Sequence, residues 1–255
     1  MQEGLVSVIV PLYNYQQYIG DCIRSILNQT YDKFELIVVD DCSTDSSHAV
    51  AQRFVSDNPQ VMRLIKMPRN SGYSAAKNVG IMASQGEFIT CLDADDMMTK
   101  DSVSARVTRL QHTGADLVHA WAMNMPADCN LERAYQLNPE DYGKRKASET
   151  LHAQTVMMRR NVHIRFGLYD ETLRSASDRE MWYRLFGWEF HGPYLIPRVK
   201  LKQDVAYYRL HPNSMSAKRL KNRHVHRRVL AAMRERCEVR QREGITHRNT
   251  KFLKS

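Results

Sequence analysis

Along the first half of the chain, apolar residues come in short runs of strand length, separated by longer segments in which they return every three or four positions. Strands repeat at period two and helices at period 3.6, so this succession predicts a parallel sheet with helical crossovers. The predicted strands are Val6–Val10, Phe34–Val39, Val61–Lys66 and Glu87–Leu92, with Asp116–Ala120 closing the half. The predicted helices are Tyr18–Asn28, Ser46–Asp57, Tyr73–Ser84 and Asp101–His112. From Met125 to about Glu149 the chain is polar and mixed in charge, and reads as a loop or variable insertion. Then follow a compact block around Gly167-Leu168-Tyr169-Asp170, a helix over Asp178–Phe186 and an extended stretch through Tyr207-Tyr208-Arg209. A tail from Ser216 has helical propensity as far as Gly244 and reads as disordered beyond it. The pattern thus divides the chain into a main domain over 1–215, with halves 1–124 and 125–215, and a tail over 216–255.

Composition changes this picture little. With 43% hydrophobic and 25% charged residues among 255, the chain has enough apolar content for a sizeable core. The first apolar stretch, Leu5 to Val10, is broken by Ser7, stopped by Pro11 and too short to span a bilayer. It has no charged n-region or small-residue cleavage site, so a cytoplasmic location is expected. Cys22, Cys42, Cys91, Cys129 and Cys237 form no CxxC pair, which favours reduced thiols over a disulfide framework or zinc site. In that compartment the sequon Asn28-Gln29-Thr30 carries no weight.

Charge matters more. The net charge is +9; residues 216–255 hold 13 Lys+Arg against 3 Asp+Glu, a net of +10, which leaves −1 for the rest. The tail therefore suits an anionic partner: a membrane surface, a nucleic acid or an acidic protein. Within it Leu230, Met233 and Cys237 share a narrow helical stripe flanked by Val229, with Arg236 and Arg240 at its edge. Such a stripe fits docking on the protein's own body, peripheral contact with an anionic membrane, or a grip on a polyanion through Lys218, Arg219, Lys221, Arg223, Arg227 and Arg228.

An open parallel sheet binds ligands at the carboxyl ends of its strands. Three of these ends carry chemistry: Pro11-Leu12-Tyr13-Asn14, Asp40-Asp41-Cys42-Ser43-Thr44-Asp45 and Asp93-Ala94-Asp95-Asp96. Carboxylates two residues apart after a buried strand suit a hard divalent cation, whereas simple capping of the next segment explains only one of them. Thr44 or Asp45 is expected to cap the following helix, while Asp40 and Asp41 stand earlier, where a carboxylate can accept from a nucleobase imide. Asn70-Ser71-Gly72 precedes a helix carrying Lys77, an arrangement open both to an ordinary turn with a solvated lysine and to a diphosphate site.

In order along the chain, Val8-Ile9-Val10-Pro11-Leu12-Tyr13-Asn14, Val38-Val39-Asp40-Asp41-Cys42-Ser43-Thr44-Asp45, Asn70-Ser71-Gly72, Lys77-Asn78, Leu92-Asp93-Ala94-Asp95-Asp96, Gly167-Leu168-Tyr169-Asp170-Glu171, Ser177-Asp178 and Tyr208-Arg209-Leu210-His211 resemble the family 2 glycosyltransferases. The resemblance implies the α/β GT-A fold, with a Rossmann-like, mostly parallel sheet flanked by helices. It implies that Asp41 faces the base of a nucleotide sugar, most often uracil, beside Pro11 and Tyr13, and that Asn14, Asn70, Gly72, Lys77, Asp93 and Ala94 belong to the same donor site. Asp93 and Asp95 correspond to the DxD pair, with Asp95 as the direct ligand of Mn2+ or Mg2+, and His211 stands where some members place a histidine near metal or diphosphate. Asp178 stands at the general base. Departures are Cys42 for a usual glycine, Lys77 for a usual arginine and Ser177 for a common glutamate.

The implied activity is inverting transfer of a sugar from a UDP-sugar to an acceptor hydroxyl on a glycan or lipid-linked saccharide. The alternatives are transfer to modified bases of nucleic acid, a catalytically silent module that uses this fold to hold a nucleotide sugar or glycan, and a nucleic-acid-binding protein whose tail does the binding.

Overall fold

The structure is a computed structural model, describing residues 2–138, 144–145, 151–173, 176–186, 196–212 and 214. The basic tail expected from Ser216, and residues 139–143 and 146–149 of the expected insertion, lie outside these residues. The described part of that insertion is not an open loop as expected, because a helix forms over Leu131–Ala134 and Met125, Cys129, Leu131 and Ala134 pack into one buried cluster. The first half runs β1 (Gln2–Leu12), α1 (Ile19–Leu27), β2 (Phe34–Asp40), α2 (Ser47–Asp57), β3 (Met62–Lys66), α3 (Tyr73–Ala83) and β4 (Gly86–Cys91). It continues with β5 (Met97–Met98), α4 (Ser102–Thr113) and β6 (Leu117–Pro126). Then come α5 (Leu131–Ala134), β7 (Lys144–Arg145), β8 (Val156–Arg159), α6 (Arg160–Phe166), α7 (Ser177–Phe186) and β9 (Arg198–Leu210).

Among the described residues one sheet runs β3-β2-β1-β4-β8-β6-β9-β5, with β7 beside β6. The first four strands are parallel, β8 is antiparallel to both β4 and β6, and β6 is parallel to β9. All nine strand and helix expectations of the first half fall on observed elements. The strand Val156–Arg159 is an addition, as is the helix that follows it.

Residue parity explains the layering. Val6, Val8, Val10 and Leu12 of β1 join Leu36 and Val38 of β2 in one core with Ile19, Ile23 and Ile26 of α1 and Val103, Val107 and Leu110 of α4. Ile9 faces the other way, against Ile81 of α3 and Ile89 of β4, in a second core with Trp182 and Leu185 of α7. A strand apolar on both faces has to lie inside a sheet covered by helices on both sides. Gly80 sets how closely α3 approaches: a Cβ there would lie 2.4 Å from Ile9 Cγ2. Across the sheet, buried Arg106 of α4 spans to β4 by donating to Thr90 Oγ1 at 2.8 Å.

His163 of α6 is 1% exposed, and its Nδ1 has no hydrogen-bond partner. Burial pushes its pKa down from 6.5 to about 3, so the fold holds the ring neutral. A base depressed in the fold contributes stability above the unfolded pKa and loses it as pH falls toward the folded value. Urea denaturation at pH 7 and pH 4.5 should therefore show a drop about 2–3 kcal/mol larger for wild type than for His163→Gln. Equal drops in the two proteins would mean that His163 is not held neutral.

Candidate active site

Three strand ends converge because β1 pairs with β2 on one side and β4 on the other, in registers that bring Leu12 beside Asp40 and Ile9 beside Cys91. This is where the strand order reverses, the place at which open α/β sheets bind ligands. Pro11 lies beyond the last β4 pairing, where its missing N–H leaves no bond unmade on that side.

The loop after β1 is tied to the loop after β2. Asn14 takes a left-handed φ of 56°, donates to Thr44 Oγ1 at 3.1 Å and accepts from the Thr44 N–H at 2.8 Å. Its amide thus ties the two loops together, while the neighbouring Tyr13 is 41% exposed. The N-cap of α2 is Ser46, without a side-chain capping bond, rather than Thr44 or Asp45 as expected. Thr44 is engaged with Asn14, and Asp45 Oδ1, one residue earlier than the cap, accepts from the Ser47 N–H at 2.9 Å. Cys42, where the resemblance leads one to expect glycine, has φ 61°, a conformation that glycine adopts without a steric penalty.

Asp40 and Asp41 have separate duties. Asp40 is fully buried, accepting from the Ser43 N–H and contacting His48 Nδ1, both at 2.9 Å. Asp41 accepts from the Ser71 and Gly72 N–H groups at 2.7 and 2.8 Å, and Asn70 Nδ2 donates to the Asp41 carbonyl at 3.3 Å. Each Asp41 oxygen keeps a second lone pair. Gly72, at φ 97°, makes the turn that delivers these amides and starts α3.

After β4 the chain brings Asp93, Asp95 and Asp96 together, with one oxygen of each within 4.8 Å of the others. Ala94 between them turns its methyl into the core. Tyr73 donates to Asp93 Oδ1 at 2.5 Å, and His211 Nε2 lies 2.9 Å from Asp95 Oδ2. Asp96 is used differently: it accepts from the Arg209 backbone N–H at 2.8 Å and from Gln154 Nε2 at 3.1 Å. Burial, then repulsion from Asp95, pushes the Asp93 pKa up to about 7 despite the Tyr73 hydrogen bond. Burial and the same neighbours raise Asp96 well above the usual carboxylate range. Crowded acids of this kind are relieved by a cation, and an oxygen set with one imidazole suits Mn2+ or Mg2+.

Arg209 fixes the loop from behind. It is buried, donates through Nε to the Asp95 carbonyl at 2.8 Å and through Nη1 to the Ala127 and Cys129 carbonyls at 2.8 and 2.6 Å. Its guanidinium lies 4.6 Å from the Tyr18 ring centroid, and Tyr18 and Tyr15 in turn pack on His211 at 5.2 and 6.1 Å. Burial and the neighbouring acids, Asp95 first, raise the Tyr15 pKa.

Asp178 stands in the first turn of α7 with its side chain 30% exposed, and its Oδ1 pairs with Lys77 Nζ. Lys77 is fully buried, so the solvated-lysine reading of the sequence does not hold. Sequence reasoning left Tyr15, Tyr18, Tyr73 and Gln154 unassigned; of the support residues only Arg209 lay in a motif, Tyr208-Arg209-Leu210-His211.

An open α/β sheet with this acid cluster at its switch point has the GT-A fold, shared with solved structures at low sequence identity. Mannosyltransferase PcManGT from Pyrobaculum calidifontis, in complex with GDP-Man and Mn2+, superposes with TM-score 0.65 at 22% identity, over 85% of this chain and 60% of that one. S. aureus TarS 1-349 in complex with UDP-GlcNAc gives 0.64 at 20% identity, over 82% and 59%. Residues 7–173 match the sequence model of Glycosyl transferase family 2, and the chain belongs to that family. Among curated relatives, the putative teichuronic acid biosynthesis glycosyltransferase TuaG of Bacillus subtilis is 27% identical over 223 residues, covering 86% of this chain and 84% of TuaG. Glycosyltransferase GlyG of Streptococcus pneumoniae is 38% identical over 114 residues, 45% of this chain and 38% of GlyG. The chain therefore spans about two fifths of GlyG and about three fifths of those two solved structures.

Removing one partner of a buried ion pair leaves an uncompensated charge and costs about 3 kcal/mol or more. The two partners here differ in access to water. Asp178→Ala strands the enclosed Lys77, whereas Lys77→Met leaves a carboxylate that solvent reaches. Thermal denaturation should show Asp178→Ala melting roughly 6–12 °C below wild type, with Lys77→Met closer to it. The reverse order would contradict the burial of Lys77.

Proposed function

We propose that this protein is an inverting glycosyltransferase that moves a sugar from a UDP-sugar to a hydroxyl of a saccharide acceptor. The observation carrying this reading is that the Asp93–Asp95–His211 group and Asp178 are linked through one helix: Tyr73 of α3 bonds Asp93 and Lys77 of α3 pairs with Asp178. The acids proposed as ligands and the proposed base are thereby tied to one helix.

Asp41, with Pro11, Tyr13 and Asn70 around it, receives the base of the donor, and the Gly72 turn leads the diphosphate toward the start of α3. Asp93, Asp95 and His211 would hold a divalent cation, which would supply positive charge beside the leaving diphosphate. Asp178 accepts the proton of the acceptor hydroxyl while that oxygen attacks the anomeric carbon from the face opposite the diphosphate. The glycosidic C–O bond to the diphosphate breaks with its electron pair leaving on the phosphate oxygen. One displacement inverts the anomeric centre. A saccharide acceptor is favoured by the likeness, over 84% of its length, to TuaG, a putative glycosyltransferase of teichuronic acid biosynthesis.

Screening UDP- and GDP-sugars by thermal shift with Mn2+ identifies the donor, with stabilisation by a UDP-sugar expected. With that donor, turnover should vanish in excess EDTA and return with Mn2+ or Mg2+, and Asp95→Asn should not recover it. Full turnover in EDTA would remove the metal assignment of Asp93, Asp95 and His211. Asp178→Asn should lose ~100-fold or more in turnover and still bind nucleotide. Retention of a tenth of wild-type turnover would point to another base.

A further inference from the structure

Lys77 is the residue whose surroundings fit its expected role least. A lysine that grips a diphosphate needs an ammonium the ligand can reach. This one is fully enclosed, 3.5 Å from the Tyr169 ring centroid and 4.8 Å from that of Tyr73, with Asp178 as its carboxylate partner. Both rings offer their π-faces to the cation, so leaving this box forfeits two cation–π contacts as well as the ion pair. The next residue works on the same segment. Asn78 accepts from the Tyr169 N–H and donates to the Tyr169 carbonyl, both at 2.9 Å, and its Nδ2 also lies 2.8 Å from Glu171 Oε1. Two consecutive residues of α3 thus hold the chain that leads into α7: Asn78 through its side-chain amide on the Tyr169 backbone, Lys77 through the tyrosine ring and Asp178.

We propose that Lys77 is a positioning residue for Asp178 rather than a ligand of the donor, fixing the carboxylate that receives the acceptor's proton and docking the acceptor half of the domain on the donor half. This inference rests on the reading of Asp178 as the base. It departs from the role that the family resemblance gives Lys77. It also accounts for burial of an ammonium that would otherwise be unfavourable, since an enclosed cation is tolerated only beside its counter-charge.

The test uses the full chain, with the donor that wild type turns over and with UDP and GDP in the presence of Mn2+ as binding probes. Turnover and nucleotide Kd are measured for Lys77→Met, Lys77→Arg, Asp178→Asn and the Lys77→Met/Asp178→Asn pair. A residue acting through Asp178 should show a split: Lys77→Met loses ~100-fold in kcat, with nucleotide Kd within about threefold of wild type. Lys77→Arg, which keeps the charge, should recover to within about tenfold of wild type. On the Asp178→Asn background, Lys77→Met should change kcat by less than about twofold, because coupled residues are not additive. A nucleotide Kd raised tenfold or more with kcat near wild type would make Lys77 a donor ligand and overturn the proposal. If Asp178→Asn itself keeps a tenth of wild-type turnover, the base reading falls and the positioning role with it. An inactive Asp178→Asn beside a Lys77→Met that fails only in nucleotide binding removes the positioning role alone. Should Lys77→Met not fold, Tyr169→Leu, which loosens the lysine without removing it, is expected to give the same kcat loss at unchanged Kd, and a raised Kd at unchanged kcat overturns the proposal there too.

Discussion

Strand β1 is apolar on both faces, and a strand of that kind is stable only between two paired neighbours and under helices on both sides. That constraint places it in the interior of the sheet, with β2 and β4 beside it. Parallel pairing then sends all three chains out at the same edge, so residues 20 to 31 positions apart in sequence become neighbours in space. Asp41 reaches the Gly72 turn and Tyr73 reaches Asp93 for this reason. A register slip of one residue would exchange Val8 and Val10 with Ile9 across the sheet and bury the wrong set, so the packing that stabilises the domain also fixes the site.

The first half was legible because its elements are long enough to show a period, and because its acids stand directly after apolar runs. The second half gave less. Strand β8 is four residues, Val-Met-Met-Arg, too short for alternation to register, yet it joins the two parts of the sheet by pairing antiparallel with β4 and with β6. Its identity depends on neighbours that no local pattern names. The same holds for Gln154, which bonds Asp96, and for Tyr15 and Tyr18, which pack on His211. Asp178 was found through its place in an ordered series of motifs. Its partner Lys77 lies 101 positions earlier, and sequence spacing could assign it only to its own turn.

Arg209 shows why a short motif marks a site without describing it. From the end of β9 this one residue spans the acidic loop, donating its backbone N–H to Asp96, its Nε to the Asp95 carbonyl and its Nη1 to carbonyls beyond β6. His211 follows two residues later and is delivered to Asp95 by the same strand. Hydrogen bonds from a cation to carbonyl groups are stronger than neutral ones, and here they act in a buried setting where little water competes. The acidic loop is therefore anchored before any ligand arrives.

Three adjacent acids do not make three equal ligands. Asp96 is 1% exposed and both its oxygens already accept protein hydrogen bonds, so it braces the loop. Asp93 accepts from Tyr73 through one oxygen, and Asp95 contacts His211 through one oxygen and also hydrogen-bonds the Tyr15 side chain, so neither is closed off by the protein as Asp96 is. The two-carboxylate face that a divalent cation needs thus arises from what occupies the third acid, not from the spacing of the aspartates. Tyr73 then links the acidic loop to Asp178: its hydroxyl holds Asp93 while its ring lies beneath the ammonium that pairs with Asp178. A displacement of α3 would disturb the acidic loop and Asp178 together, which is a physical reason for α3 to lie against β1 at the closest approach that Gly80 allows.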